Sequence, residues 1–127
     1  MIQNMTEAAM AARANAYAPY SGFFVGAALR CESGKIYTGC NVENASYSMG
    51  ICAERNAVFQ AIAAGERNFR TLSIVGGKTD EEALSLPCIP CGACLQVLSE
   101  FCSGDFPILL ADGVHKLSDF LPNSFKL

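Results

Sequence analysis

The chain has little of what marks nucleic-acid binding, export or membrane insertion. Nine basic residues stand against twelve acidic ones, for a formal charge of −3. The basic residues are scattered and are not interleaved with aromatics, so there is no electrostatic footprint for nucleic acid, and polymeric DNA or RNA is excluded as a partner. No apolar run approaches the roughly 20 residues needed to cross a bilayer, which predicts no membrane association. Residues 5 to 18 are alanine-rich, but Glu7 and Arg13 interrupt them and no basic segment leads in, so no signal peptide is expected. The single histidine, His115, stands alone beside a turn and reads as a turn or surface residue. Cysteine, by contrast, is plentiful at seven. An odd count without an export signal fits a reducing, cytoplasmic setting better than a disulfide framework. At 127 residues the chain fits one domain over 1–127 with a core of its own.

Helix and strand signals follow in order. Met5 to Tyr17 predicts a helix, ended by Ala18-Pro19-Tyr20-Ser21-Gly22. Phe23 to Cys31 and Ile36 to Cys40 predict antiparallel strands joined by Glu32-Ser33-Gly34-Lys35. Asn41 to Gly50 reads as a polar loop. Ile51, Val58, Phe59 and Ile62 then keep helical spacing up to Gly65. Leu72 to Val75 predicts a short strand closed by Gly76-Gly77, and Lys78 to Pro87 a charged loop. Pro90 suits the start of a helix through Leu95, Val97, Leu98 and Phe101. Pro107 to Ala111 and Val114 to Leu117 predict two more strands around Asp112-Gly113. A hairpin followed by alternating helix and strand implies an α/β fold, a three-layer α/β/α sandwich with a mixed sheet of about five strands.

The chemistry lies in two short motifs, Cys52-Ala53-Glu54 and Pro90-Cys91-Gly92-Ala93-Cys94. Three thiolates leave one corner of a zinc tetrahedron open, as in a catalytic rather than a structural site. Glu54 would place a proton carrier beside that corner. Cys91 and Cys94, three apart at a helix start, can face one point beyond the helix end. Two helix N-termini converging there would favour thiolate over thiol. Three thiolates on Zn²⁺ leave a charge of −1, and Arg55 is the nearest group able to offset it by donating hydrogen bonds to sulfur. Cys31, Cys40 and Cys102 read as small hydrophobes. Cys88 leaves alternatives open. Cys88-x2-Cys91-x2-Cys94 resembles part of an iron–sulfur run that lacks the following Cys-Pro. Cys88 as a fourth ligand would instead close the zinc into a purely structural site.

With these motifs in hand, the chain resembles the cytidine deaminases of the small, homotetrameric, three-cysteine type, whose zinc signature includes a glutamate that does not ligate. Tyr17-Ala18-Pro19-Tyr20-Ser21, Val25-Gly26-Ala27-Ala28-Leu29, Gly39 to Tyr47, Leu121-Pro122 and Phe125 resemble family segments in the right order. The resemblance implies one zinc per chain held by Cys52, Cys91 and Cys94. It implies hydrolytic deamination of cytidine and 2′-deoxycytidine to uridine and 2′-deoxyuridine with release of ammonia, in pyrimidine salvage. Hydroxide generated at zinc would attack C4 while Glu54 shuttles protons. Asn41 and Glu43 match the pair that holds the ribose 3′-hydroxyl, Phe23 an aromatic at the nucleoside pocket, and Ala53 a backbone contact to the base. Tyr47 and Phe125 match residues that complete a neighbouring subunit's pocket, so the active sites would be shared within a homotetramer. Leu95 departs from the arginine common after the last zinc cysteine, leaving Arg55 to offset the thiolates alone or with the helix dipoles.

Two rivals define what must be separated. Deamination of another cytosine nucleoside, such as blasticidin S, would use the same motif, although Asn41-Val42-Glu43-Asn44 favours an ordinary ribose. A structural or redox metal protein built on Cys88, Cys91 and Cys94 would show no turnover.

Overall fold

In a computed structural model of the protein, which describes residues 2–127, five strands form one mixed sheet in the order β2-β1-β3-β4-β5. The strands are β1 (Phe24–Cys31), β2 (Ile36–Cys40), β3 (Phe69–Gly77), β4 (Pro107–Leu110) and β5 (Gly113–Lys116). The helices are α1 (Ile2–Arg13), α2 (Ala53–Ala63), α3 (Asp80–Ser85), α4 (Gly92–Phe101) and α5 (Leu117–Phe120). Only β3 and β4 pair in parallel; the other neighbours are antiparallel. The predicted hairpin is present, with Gly34 at φ +89° in its turn, a conformation that costs glycine little.

Strand alternation divides the core in two. Val25, Ala27, Leu29 and Cys31 of β1, Leu72 and Ile74 of β3, and Ile108 and Leu110 of β4 pack with α2, α4 and Leu117. Ala28, Val75 and Leu109 point the other way, against Met5 and Ala9 of α1 and Ala83 of α3. Helices therefore cover both faces, as the three-layer expectation requires.

Boundaries differ from the sequence expectations for identifiable reasons. The first helix stops at Arg13 rather than Tyr17. The Arg13 guanidinium is turned into the sheet end, donating to Phe24 O at 2.9 Å and Gly77 O at 2.7 Å and pairing with Asp80. Tyr17 instead bridges to Val42. The expected loop Lys78 to Pro87 contains α3, capped by Thr79. Within the expected polar loop, Val42 bridges to Ile51 and Tyr47–Met49 form a 3-10 turn. The third strand begins at Phe69, Pro90 precedes the helix cap instead of opening α4, and Leu117 starts a helix instead of ending a strand.

Candidate active site

Both motifs fall at helix N-termini on the same face of the sheet. Cys52 is the N-cap of α2 and Cys91 the N-cap of α4, both with extended backbone, and Cys94 lies in the first turn of α4. An N-cap side chain projects past the helix end, where the first N–H groups lack intrahelical partners. Two such ends facing each other gather the three sulfurs within 4.8 Å of one another. Cys52 Sγ is 3.7 Å from Cys91 Sγ, and Cys91 Sγ is 3.5 Å from Cys94 Sγ. A tetrahedron with Zn–S bonds of about 2.3 Å has edges of about 3.8 Å, so the sulfurs stand close to the positions zinc would impose. Three soft donors, free of disulfides, make a set that fits one zinc ion per chain.

The surroundings favour thiolate at Cys52. The adjoining Cys94 thiol and the Arg55 guanidinium, whose terminal nitrogen is 3.3 Å from Cys52 Sγ, hold Cys52 well below the ordinary thiol range. Cys94, as the partner that keeps its proton, is pushed up. Arg55 thus sits where the charge argument requires. Leu95 is buried in the core under α4.

Glu54, in the first turn of α2, is 5 % exposed. Burial first, and the neighbouring Cys52 thiolate after it, push its carboxyl up to about 6. A carboxyl held there can release and recover a proton near neutrality, as a general base and acid must.

Cys52, Glu54 and Cys91 open onto a cleft of about 580 Å³, which Asn41, Glu43 and Ala53 also line. Both ends of the Asn41 amide are engaged: Oδ1 accepts from Val25 N at 2.9 Å and Nδ2 donates to Phe23 O at 2.8 Å. Glu43 accepts from the Tyr20 and Ser21 amides at 3.0 and 3.1 Å and from the Ser21 hydroxyl, which holds its carboxyl below the usual range. Sequence reasoning missed Ser21 in this role; a Pro-Tyr-Ser-Gly turn twenty-odd residues upstream of Glu43 carries no signal of the contact.

The remaining expected residues divide. Tyr47 borders the cleft of its own chain, 82 % exposed and edge-on to Tyr20. Phe23 and Phe125 are exposed and lie outside the cleft lining. The Phe125 backbone is held at α4 by Gln96. Cys88 lines the cleft but stands outside the three-sulfur group. Its thiol lies against Gly76, where an added Cβ would meet the sulfur at 2.7 Å. Burial pushes Cys88 up to about 12, so it is neutral at pH 7. Cys31 and Cys102 are buried in the core and Cys40 is half-buried, as expected of small hydrophobes. His115 pairs with Asp112 on the surface at 2.8 Å.

Comparison with known proteins agrees with this geometry. Residues 1–110 match the family described as "Cytidine and deoxycytidylate deaminase zinc-binding region". The chain is 52 % identical to the cytidine deaminase of Sporosarcina psychrophila over 101 residues, 80 % of this chain and 70 % of that one. It is 38 % identical to that of Halalkalibacterium halodurans over 128 residues, 97 % and 92 % of the two chains. Among solved structures, the cytidine deaminase of Burkholderia pseudomallei superimposes with a TM-score of 0.85 at 46 % identity, covering 97 % of this chain and 98 % of that one. The Mycobacterium tuberculosis enzyme gives 0.87 at 37 %, covering 98 % and 97 %. With its three-sulfur cluster, its buried glutamate and its five-stranded sheet all in place, this chain belongs to the cytidine and deoxycytidylate deaminase family.

Proposed function

We propose that this chain hydrolyses cytidine and 2′-deoxycytidine to the corresponding uridines, with water as co-substrate and ammonia as the leaving group. The observation that carries the reading is a buried carboxyl, Glu54, adjoining an open three-sulfur cluster at the floor of a nucleoside-sized cleft. Cys52, Cys91 and Cys94 would hold the zinc. When bound, zinc supplies a Lewis acid that brings the pKa of a water to near 7.

Glu54 takes one proton from the attacking water and delivers it to N3 as the C4–O bond forms, then takes the second from the hydroxyl now on C4 and delivers it to the 4-amino group, so that the C4–N bond breaks with ammonia rather than an amide anion departing. Arg55 holds the Cys52 sulfur and offsets thiolate charge. Asn41 and Glu43 present an amide and a carboxylate to the sugar 3′-hydroxyl, one able to donate and both able to accept. Ala53 meets the base through its backbone, and Phe23, outside the cleft lining but tied to it where its carbonyl accepts from Asn41 Nδ2, would flank the nucleoside.

The rim of the cleft exposes Tyr20, Val42, Tyr47 and Ile89, an apolar border suited to cover by another copy of the chain. A homotetramer in which Phe125, and Tyr47 at a shared rim, complete neighbouring sites accounts for aromatics that lie outside their own cleft or on its edge. We place the chain in the cytoplasm, as a single domain in pyrimidine salvage. The test is loss of the cytosine absorbance band with cytidine, coupled to ammonia release. Zinc-loaded protein that turns over neither cytidine nor deoxycytidine would overturn the reading.

A further inference from the structure

We infer that Asn56 is a positioning residue that sets the register between the proton-carrying helix and the sugar-holding edge of the cleft. The inference rests on the reading above that Asn41 holds the sugar. Helix α2 lies directly on β2 at Gly39, where a Cβ would stand 2.5 Å from Ala57 N and 2.6 Å from Ala53 O. That absence of a side chain lets the backbones touch, but a smooth contact does not fix where the helix sits along the strand.

Asn56 supplies the fixed point. Its Nδ2 donates to Cys40 O at 3.1 Å, across the peptide that leads directly into Asn41. Among the described residues, it makes the one side-chain hydrogen bond between α2 and β2. Asn41 is in turn locked to Phe23 O and Val25 N, so it cannot adjust independently. Glu54 and Asn41 are therefore joined by half a helical turn, one hydrogen bond and one peptide. A shift at that bond moves the sugar contact relative to the proton carrier, and small misplacements are costly when two contacts must be met at once.

The test compares cytidine with 2′,3′-dideoxycytidine, which lacks the 3′-hydroxyl, in wild type, Asn56→Ala and Asn56→Gln, with zinc content measured for each. Loss of one part-buried hydrogen bond corresponds to a fall of up to about tenfold. Asn56→Ala with its zinc retained should lose about that much kcat/KM on cytidine and less than about threefold on the dideoxy analogue, because only the former uses Asn41. Asn56→Gln keeps the amide on a longer arm and should fall between. Should the alanine variant not fold, the glutamine variant is read on the same ratio. An equal loss on both substrates, or no loss, overturns the inference. A wild type that does not prefer cytidine over the analogue removes the sugar-holding reading itself, and the inference with it.

Discussion

Helix α3 completes its own N-terminus, while α2 and α4 do not. Thr79 accepts from Glu82 N at 3.1 Å, and Glu82 in return accepts from Lys78 N at 3.0 Å. Such capping is worth about 1 kcal/mol to a helix. At the corresponding positions of α2 and α4 stand Cys52 and Cys91, neither of which makes a side-chain cap hydrogen bond. Both of these uncapped ends face the sulfur cluster. The contrast teaches that the site is built from helix ends whose N–H groups and dipoles are left available to stabilise thiolate, whereas the capped end of α3 belongs to a helix with no part in the chemistry.

The sharpest break in this comparison is at Glu54. Glu54→Gln should retain one zinc per chain and lose roughly 10²- to 10⁴-fold in kcat, the usual contribution of a positioned general acid–base. Cys52→Ala should lose both zinc and turnover. Metal analysis with steady-state kinetics separates the two.

The next effect concerns pH in the metal-free protein. Folding raises the Glu54 carboxyl from 4.5 to about 6, so the folded state binds the proton more tightly. Its contribution is fully favourable below pH 4.5 and is lost as pH rises through about 6. At pH 7.5, metal-free Glu54→Gln should therefore be more stable than metal-free wild type by about 2 kcal/mol, with the gap closing below pH 4.5. Urea titrations across this range check both sign and window.

Cys91→Ser turns an uncapped end into a capped one. It should abolish zinc binding and activity, yet stabilise the metal-free fold by about 1 kcal/mol, since serine is among the best N-caps. The smallest effect belongs to the helix already capped. Thr79→Ala should cost about 1 kcal/mol in urea denaturation and leave kcat/KM within about twofold.

Much of this contrast was legible in the sequence because its carriers are local. Cys52 with Glu54, and Cys91 with Cys94, are recognisable at spacings that a helix start can use, and a hairpin followed by alternating helix and strand announces a mixed sheet covered on its faces. What was illegible depends on contacts between distant segments. The helix inside Lys78 to Pro87 was hidden because its charged first turn and outward Leu84 and Leu86 give no inward stripe. The early stop of α1 follows from Arg13 reaching the ends of β1 and β3, more than ten residues away at the nearest. Cys88 matches the spacing of a fourth ligand, and only the notch at Gly76 shows where its thiol goes.

The most direct test of the open site is zinc-edge X-ray absorption on the purified protein. The account predicts one zinc bound by three sulfurs at about 2.3 Å and one lighter atom in the fourth position. Four sulfurs would mean that Cys88 closes the site, and would contradict it.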